Sequence, residues 1–135
     1  MGKKTVLTAR QLEVLRLKAQ GLSQTEIASR LGTSRANISA TERKAREKVE
    51  RARNTLDLIR SMEAPVRFTV EVDTDLNEAV KEVYVRADAA GIWVPHSFPS
   101  LANMVQKGAG EKVKGRKVLE EFEVSITGDG GVVVR

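Results

Sequence analysis

The sequence predicts an α+β protein: an all-α helix-turn-helix domain over residues 1–64 with a long third helix, then a small α+β domain over residues 65–135. Three observations predict it. Capping signals and helical apolar spacing fill the first half, no Gly or Pro interrupts the stretch from Arg35 to Ala64, and strand patterns alternate with helices beyond Pro65. The chain has 135 residues, enough for a small core in each half.

The first helix is predicted to begin after Thr8, which forms a capping box with Gln11 three residues on. Gly21 follows the helix and is typical of a helix end. The predicted inward residues recur at i, i+3 and i+7 with a valine alongside: Leu12, Leu15, Ala19 and Val14.

The next two helices are predicted to form a helix-turn-helix. Ser23 and Glu26 make a second capping box, and Gly32 suits the left-handed residue that ends the helix. Thr33 and Ser34 then offer a new N-cap for a helix that begins at Arg35. The predicted core positions are Ile27, Ala28, Leu31 and Ile38. This motif places its second helix in the DNA major groove.

Helical phase predicts which side chains of that second helix reach DNA. Ile38, Thr41 and Ala45 define the inward face, so the opposite face and the helix start are predicted to read bases. The base-reading set is Arg35, Ala36, Asn37, Ala40 and Arg43. Hydroxyls and amides near helix N-termini, and flanking cations, are predicted to contact phosphates. That set is Ser23, Gln24, Thr33, Ser34, Ser39, Lys44, Arg46 and Lys48.

The charge distribution favours the same interpretation. Residues 1–64 carry 14 Lys and Arg against 7 Asp and Glu, whereas residues 65–135 carry 9 against 11. The basic first half suits a polyanionic partner, and double-stranded DNA is the predicted one.

At these residues the sequence resembles known families. Leu7 to Val49 is similar to the promoter-contacting domain of bacterial sigma factors and to LuxR-type readers, although Thr41 stands where sigma-type versions carry a bulky aliphatic residue. The resemblance to the archaeal Tfx family of DNA-binding regulators is closer. It runs through LTARQLEVLRLKAQGLSQTEIASRLGTSRANISATERKAREKVERARNT, then AAGIWVP and KVKGRKVLEEFEV. This resemblance implies a cytoplasmic archaeal transcription regulator.

The long helix carries an apolar seam with spacings of four and three: Ala45, Val49, Ala52, Leu56 and Ile59. Pro65 ends the helix. The seam has two interpretations: pairing with its copy in a homodimer, which we favour, or packing under the C-terminal domain of its own chain.

The second half is predicted to alternate strands and helices. Val66, Phe68, Val70 and Val72 alternate as a half-buried strand, and Asp73 to Asp75 cap a helix that ends at Gly91. The inward face of that helix is Ala79, Val80, Val83, Tyr84 and Ala87. Ile92–Val94 is predicted as a short strand, Pro99 to about Lys107 as a helix, Val118–Thr127 as a strand, and Gly128–Gly131 as the turn into Val132–Val134.

No catalytic, metal or cofactor site is predicted. The chain has one histidine, His96, and no cysteine, which leaves neither a nucleophile–base pair nor metal-ligand spacing. A Gly-rich basic loop is the candidate site for a small anionic effector or for DNA, with Lys112, Lys114, Arg116 and Lys117 as the cations; a solvated basic loop is the alternative. Tyr84, Trp93, Phe98 and Phe122 are predicted core residues, with a ligand cavity as the alternative.

These patterns predict a sequence-specific transcription regulator, not an enzyme. The alternative is an architectural or interaction protein whose second domain recruits a partner. The sequence has no apolar run that predicts a membrane span, and a cytoplasmic location is expected.

Overall fold

Three helices form the first part of the chain. The computed structural model describes residues 3–135, so Met1 and Gly2 of the predicted first domain lie outside the described residues. The helices are α1 (Ala9–Ala19), α2 (Gln24–Leu31) and α3 (Arg35–Glu63). Both predicted capping boxes are confirmed, at Thr8 and at Ser23. Gly32 ends α2 in the left-handed conformation, at φ 67°, as predicted.

On α1, the face that is buried in the small core of these helices differs from the predicted face. The buried residues of this core are Val14, Leu17, Ile27, Ala28 and Ile38. The prediction of Leu12 and Ala19 as inward residues was wrong, because both are exposed. Gln11 is buried instead, since its side-chain oxygen accepts from the Thr8 N–H and from Lys48 Nζ, at 3.0 and 2.9 Å. A polar residue therefore occupies a position that apolar spacing alone does not identify.

Helix α3 is continuous for 29 residues and ends just before Pro65, as predicted. At 1.5 Å per residue it is about 43 Å long. The chain forms two compact units that divide within this helix: one ends at Thr55, and the other is Leu56–Arg135. The domain limits 1–64 and 65–135 follow from the helix end at Pro65 and stay a prediction.

The second unit is a three-stranded antiparallel sheet with two helices. Its elements are β1 (Val66–Val70), α4 (Leu76–Ala89), α5 (Phe98–Ala109), β2 (Val113–Lys114), β3 (Lys117–Val118), β4 (Phe122–Ile126) and β5 (Val132–Val134). The strand order is β1-β4-β5, with Phe68 opposite Val124 and Val124 opposite Val134. Asp75 caps α4, and all five predicted inward residues of α4 are buried or half-buried. The predicted α+β class is confirmed.

Four details of this unit correct the sequence predictions. Ile92–Val94 is not a strand but part of an extended loop. The predicted strand at Val118–Thr127 is two strands, β3 and β4, and β3 pairs with β2 in a small ribbon that the sequence did not predict. Val72 lies beyond the end of β1 and is exposed. Trp93 is not a core residue: it is 79% exposed, whereas Phe122 is buried and Tyr84 and Phe98 are half-buried.

The part of α3 in the second unit buries one face only. Ser61 is buried, and its hydroxyl donates to the Leu58 carbonyl at 2.9 Å. Leu56 and Ile59 of the predicted seam are 63% and 46% exposed. Ala45 of the seam is buried, and Val49 and Ala52 are half-buried. Both interpretations of the seam, pairing with a copy and packing within the chain, stay predictions.

Candidate nucleic-acid interface

Local hydrogen bonds of two serines fix the starts of α2 and α3. Ser23 Oγ accepts from the Glu26 N–H at 3.1 Å and begins α2. Ser34 Oγ accepts from the Asn37 N–H, also at 3.1 Å, and begins α3. Ile38 is completely buried one turn into α3, so it fixes the rotation of the helix about its axis. The start of α3 is thereby held with a defined outward face.

That outward face carries the predicted base-reading residues. Arg35, Ala36, Asn37 and Arg43 are exposed, and Ala40 is half-buried. Within residues 3–135, the hydrogen bonds at Asn37 use its backbone N–H and its carbonyl, and the carbonyl accepts from Thr41 Oγ1 at 2.9 Å. These bonds leave its side-chain amide available for a ligand. A guanidinium and an amide beside small methyl groups match the donor and acceptor pattern of major-groove base edges. Base contact by these residues stays a prediction.

The predicted phosphate-contacting residues fall into two groups. Ser23, Thr33, Ser34, Ser39 and Lys44 lie at helix starts or on the exposed face of α3. Gln24, Arg46 and Lys48 bond to other side chains within the protein. Gln24 Nε2 donates to Glu42 Oε1 at 3.1 Å, and Arg46 Nε donates to Glu42 Oε2 at 2.8 Å. Lys44 is consequently the better test of a pure phosphate contact than Lys48, which binds Gln11.

Sequence reasoning missed Glu42 as a structural residue of this interface. Its side chain is only 12% exposed. The hydrogen bond from Gln24, with help from the hydrogen bond and charge of Arg46, lowers the pKa of the Glu42 carboxyl despite its burial. Two signals could have identified it: Glu42 lies four residues before Arg46, and it shares a helix face with Ile38 and Ala45. Glu42 thus joins the start of α2 to α3.

The candidate anion site of the second unit is partly occupied by carboxylates. Arg116 lies 3.3 Å from an oxygen of Asp75, and Lys117 lies 3.2 Å from one of Asp73. Lys114 of β2 is exposed, and Lys112, in the single helical turn just before β2, is half-buried. The structure therefore brings the four cations together with two neutralising groups, and binding of an anionic effector there stays a prediction.

The described residues, 3–135, include no group of three or more His, Cys, Asp or Glu arranged to hold a metal ion. His96 lies in the loop between α4 and α5, where its backbone carbonyl accepts a hydrogen bond from the Tyr84 hydroxyl. Within the same part of the chain, every helix is too short or too polar to cross a bilayer.

Comparison with known proteins finds a matching family for each half of the chain. Residues 5–62 match the family of bacterial regulatory proteins of the luxR type, and residues 52–134 match the C-terminal region of the DNA-binding protein Tfx. The chain is 40% identical over 134 residues to the DNA-binding protein Tfx of Methanothermobacter thermautotrophicus, covering 99% of this chain and 97% of that one.

Other relatives agree. The Tfx protein of Methanothermobacter marburgensis gives the same identity and coverage. A Methanocaldococcus jannaschii protein, provisionally named a transcriptional regulatory protein, is 37% identical over 134 residues, covering 99% of this chain and 98% of that one. The match to the Tfx C-terminal region spans more than half of the chain, and these relatives align along nearly all of it. The chain therefore belongs to the Tfx family of archaeal DNA-binding proteins.

Proposed function

We propose that this protein is a sequence-specific DNA-binding transcription regulator that places the start of α3 in the major groove. One observation carries the proposal. Burial of Ile38 and the two serine caps fix the start of α3 so that Arg35, Asn37 and Arg43 face outward together. The names of its relatives, which describe DNA-binding and transcriptional regulatory proteins, support it.

A second candidate function is an architectural or interaction protein whose second unit recruits a partner. The exposed Trp93 and the acidic balance of residues 65–135 favour a binding role for that unit.

Selection of binding sites from random duplex DNA separates the two functions. A specific regulator enriches a motif and binds it more than about a thousandfold tighter than scrambled DNA at the same salt concentration. Equal, salt-sensitive binding to every duplex would reject the regulator and favour the architectural role.

The base-reading set is tested by comparing alanine variants on the selected site. Arg35→Ala and Asn37→Ala should each lower the preference for the selected site over scrambled DNA by about 1–3 kcal/mol, because each removes a bidentate contact to a base edge. Lys44→Ala is the matched control on the same helix. It should weaken binding to both duplexes alike and reduce the slope of log affinity against log salt by about one. Unchanged selectivity in the first two variants would show that another face reads the bases.

The further parts of the proposal concern assembly and location. We propose that the protein forms a homodimer through the exposed apolar face of α3 that carries Leu56 and Ile59. We also propose that it has no enzymatic activity and that it acts on DNA in the cytoplasm. Leu56 and Ile59 support the dimer because they are large, apolar and exposed on one helix face. Two copies would also double the number of base contacts, which is how helix-turn-helix proteins gain affinity for paired half-sites.

A further inference from the structure

The loop between α4 and α5 exposes a tryptophan beside a recess. Trp93 is 79% exposed, the most exposed of the large apolar residues in the part of the chain that the structure describes. With Tyr84, Asp88, Ile92 and His96 it lines a recess of about 520 Å³. That volume is within the range of small-molecule sites, about 300–1,000 Å³. An indole held in water next to a recess has no role in the core of the unit.

The loop is held firmly although its tryptophan is exposed. The Tyr84 hydroxyl donates to the His96 carbonyl at 2.5 Å, and the Tyr84 ring stacks on Phe98 with centroids 6.4 Å apart. Gly130 lies directly against the Trp93 carbonyl, so closely that a Cβ at Gly130 would collide with it. Since both ends of the loop are fixed, a ligand would not have to order it, and that lowers the entropic cost of binding.

The charge of the recess selects the sign of the ligand. Of the described residues that line it, Asp88 is the one carboxylate and none is Lys or Arg. A phosphate or carboxylate ligand would find no Lys or Arg among the described residues to neutralise it, and the Asp88 carboxylate would repel it. A positively charged group would find the Asp88 carboxylate and the electron-rich faces of Trp93 and Tyr84, which attract cations.

We propose that this recess binds a small organic cation, a substituted ammonium or guanidinium group. The Trp93 ring packs over the charged group, Asp88 neutralises it, and Ile92 contacts its apolar part. The same chemistry is available from a free small molecule and from a Lys or Arg side chain of a partner polypeptide. Inorganic cations are disfavoured, because an aromatic wall with one carboxylate offers few oxygen ligands.

Trp93 is the only tryptophan of the chain, so its fluorescence reports on the recess directly. The full-length protein is titrated with two organic cations, choline and arginine amide, with 3,3-dimethylbutan-1-ol, the neutral isostere of choline, and with acetate. We expect a saturable change in emission with choline, binding at least about fivefold weaker for the neutral isostere, and no saturation with acetate. No saturable response to choline or to arginine amide, or equal binding of the neutral isostere, would overturn the proposal.

Two variants test whether the recess is the binding site, and a comparison of two ligands tests which kind of molecule supplies the cation. Asp88→Asn should weaken choline binding at least about fivefold, whereas Glu111→Gln, an exposed carboxylate outside the recess, should not change it. Trp93→Leu, followed by calorimetry, should abolish binding while the circular dichroism spectrum stays that of the wild type. Tighter binding of choline than of a capped arginine peptide identifies a free ligand as the source, and the reverse order identifies a polypeptide. Equal affinity of the wild type and Asp88→Asn for choline would overturn the assignment.

Discussion

At the scale of single residues, Glu42 shows how a buried charge holds the proposed DNA-reading unit together. It accepts from Gln24 at the start of α2 and from Arg46 on its own helix. Because these partners favour the ionised form, the pKa of Glu42 is lower in the folded protein than its ordinary value of 4.5. Its contribution to stability is therefore complete above about pH 4.5 and is lost as the pH falls through the folded pKa.

The variant Glu42→Gln tests this contribution. It should lower the free energy of unfolding by about 1–3 kcal/mol at neutral pH, because charge-assisted hydrogen bonds are lost, and the deficit should shrink towards pH 3. Denaturant titrations at several pH values measure it, with the exposed Glu47→Gln on the same helix as the control. A deficit that stays constant across this pH range would contradict the role of the Glu42 charge.

Gly130 is a second position where one residue decides local structure. Its φ of 90° is unfavourable for any other residue, and a Cβ would meet the Trp93 carbonyl. Gly130→Ala should therefore destabilise the second unit by about 2 kcal/mol or more. Thermal unfolding followed by circular dichroism measures this loss. Gly128→Ala, in the same turn but with open space around it, is the control and should change the melting temperature much less. Equal effects of the two substitutions would contradict the packing of the loop on this turn.

At the scale of elements, the sequence predicted helices well because their signals are local. Thr8, Ser23 and Asp75 cap the helices that they were predicted to cap, and Pro65 ends α3. The β2–β3 ribbon was missed because each of its strands has only two residues, which is too short to show an alternating pattern. The apolar triplet Ile92–Val94 was wrongly taken for a strand, because a short apolar run does not by itself show whether it pairs.

Burial was predicted less well than helix position, for a similar reason. Leu12 looked inward by spacing, but α1 buries Val14, Leu17 and the polar Gln11, whose side chain accepts from Lys48 on another helix. Trp93 looked like a core residue by composition, yet its loop packs through the Val94 side chain and the Trp93 carbonyl and leaves the indole ring exposed. The exposure of Arg35, Asn37 and Arg43 was predictable from helical phase on α3, whereas their contact with DNA stays a prediction. The protein partners of Gln24, Arg46 and Lys48 were not.

At the scale of the whole molecule, α3 carries both proposed surfaces, because one helix holds Arg35 of the proposed base-reading set and the exposed Leu56 and Ile59 of the proposed dimer interface. The double variant Leu56→Glu/Ile59→Glu should shift the protein from dimer to monomer in sedimentation equilibrium, because it places charges in the proposed apolar interface. Its affinity for a selected paired site should fall with the loss of the dimer, while the helical content stays the same. Asn54→Glu, exposed on a different face of α3, is the control and should leave the dimer intact. A monomeric wild type would contradict the proposed homodimer.

The central claim is that the start of α3 reads bases in the major groove, and the most direct measurement uses 7-deazapurines. Each replaces purine N7 by CH, which removes a major-groove acceptor and leaves the minor groove unchanged. In the selected site, we predict that 7-deazaguanine at one or more positions weakens wild-type binding about fivefold or more, and that Arg35→Ala is insensitive to the same substitution. Binding that is indifferent to 7-deaza substitution at every purine of the site would contradict major-groove reading by α3.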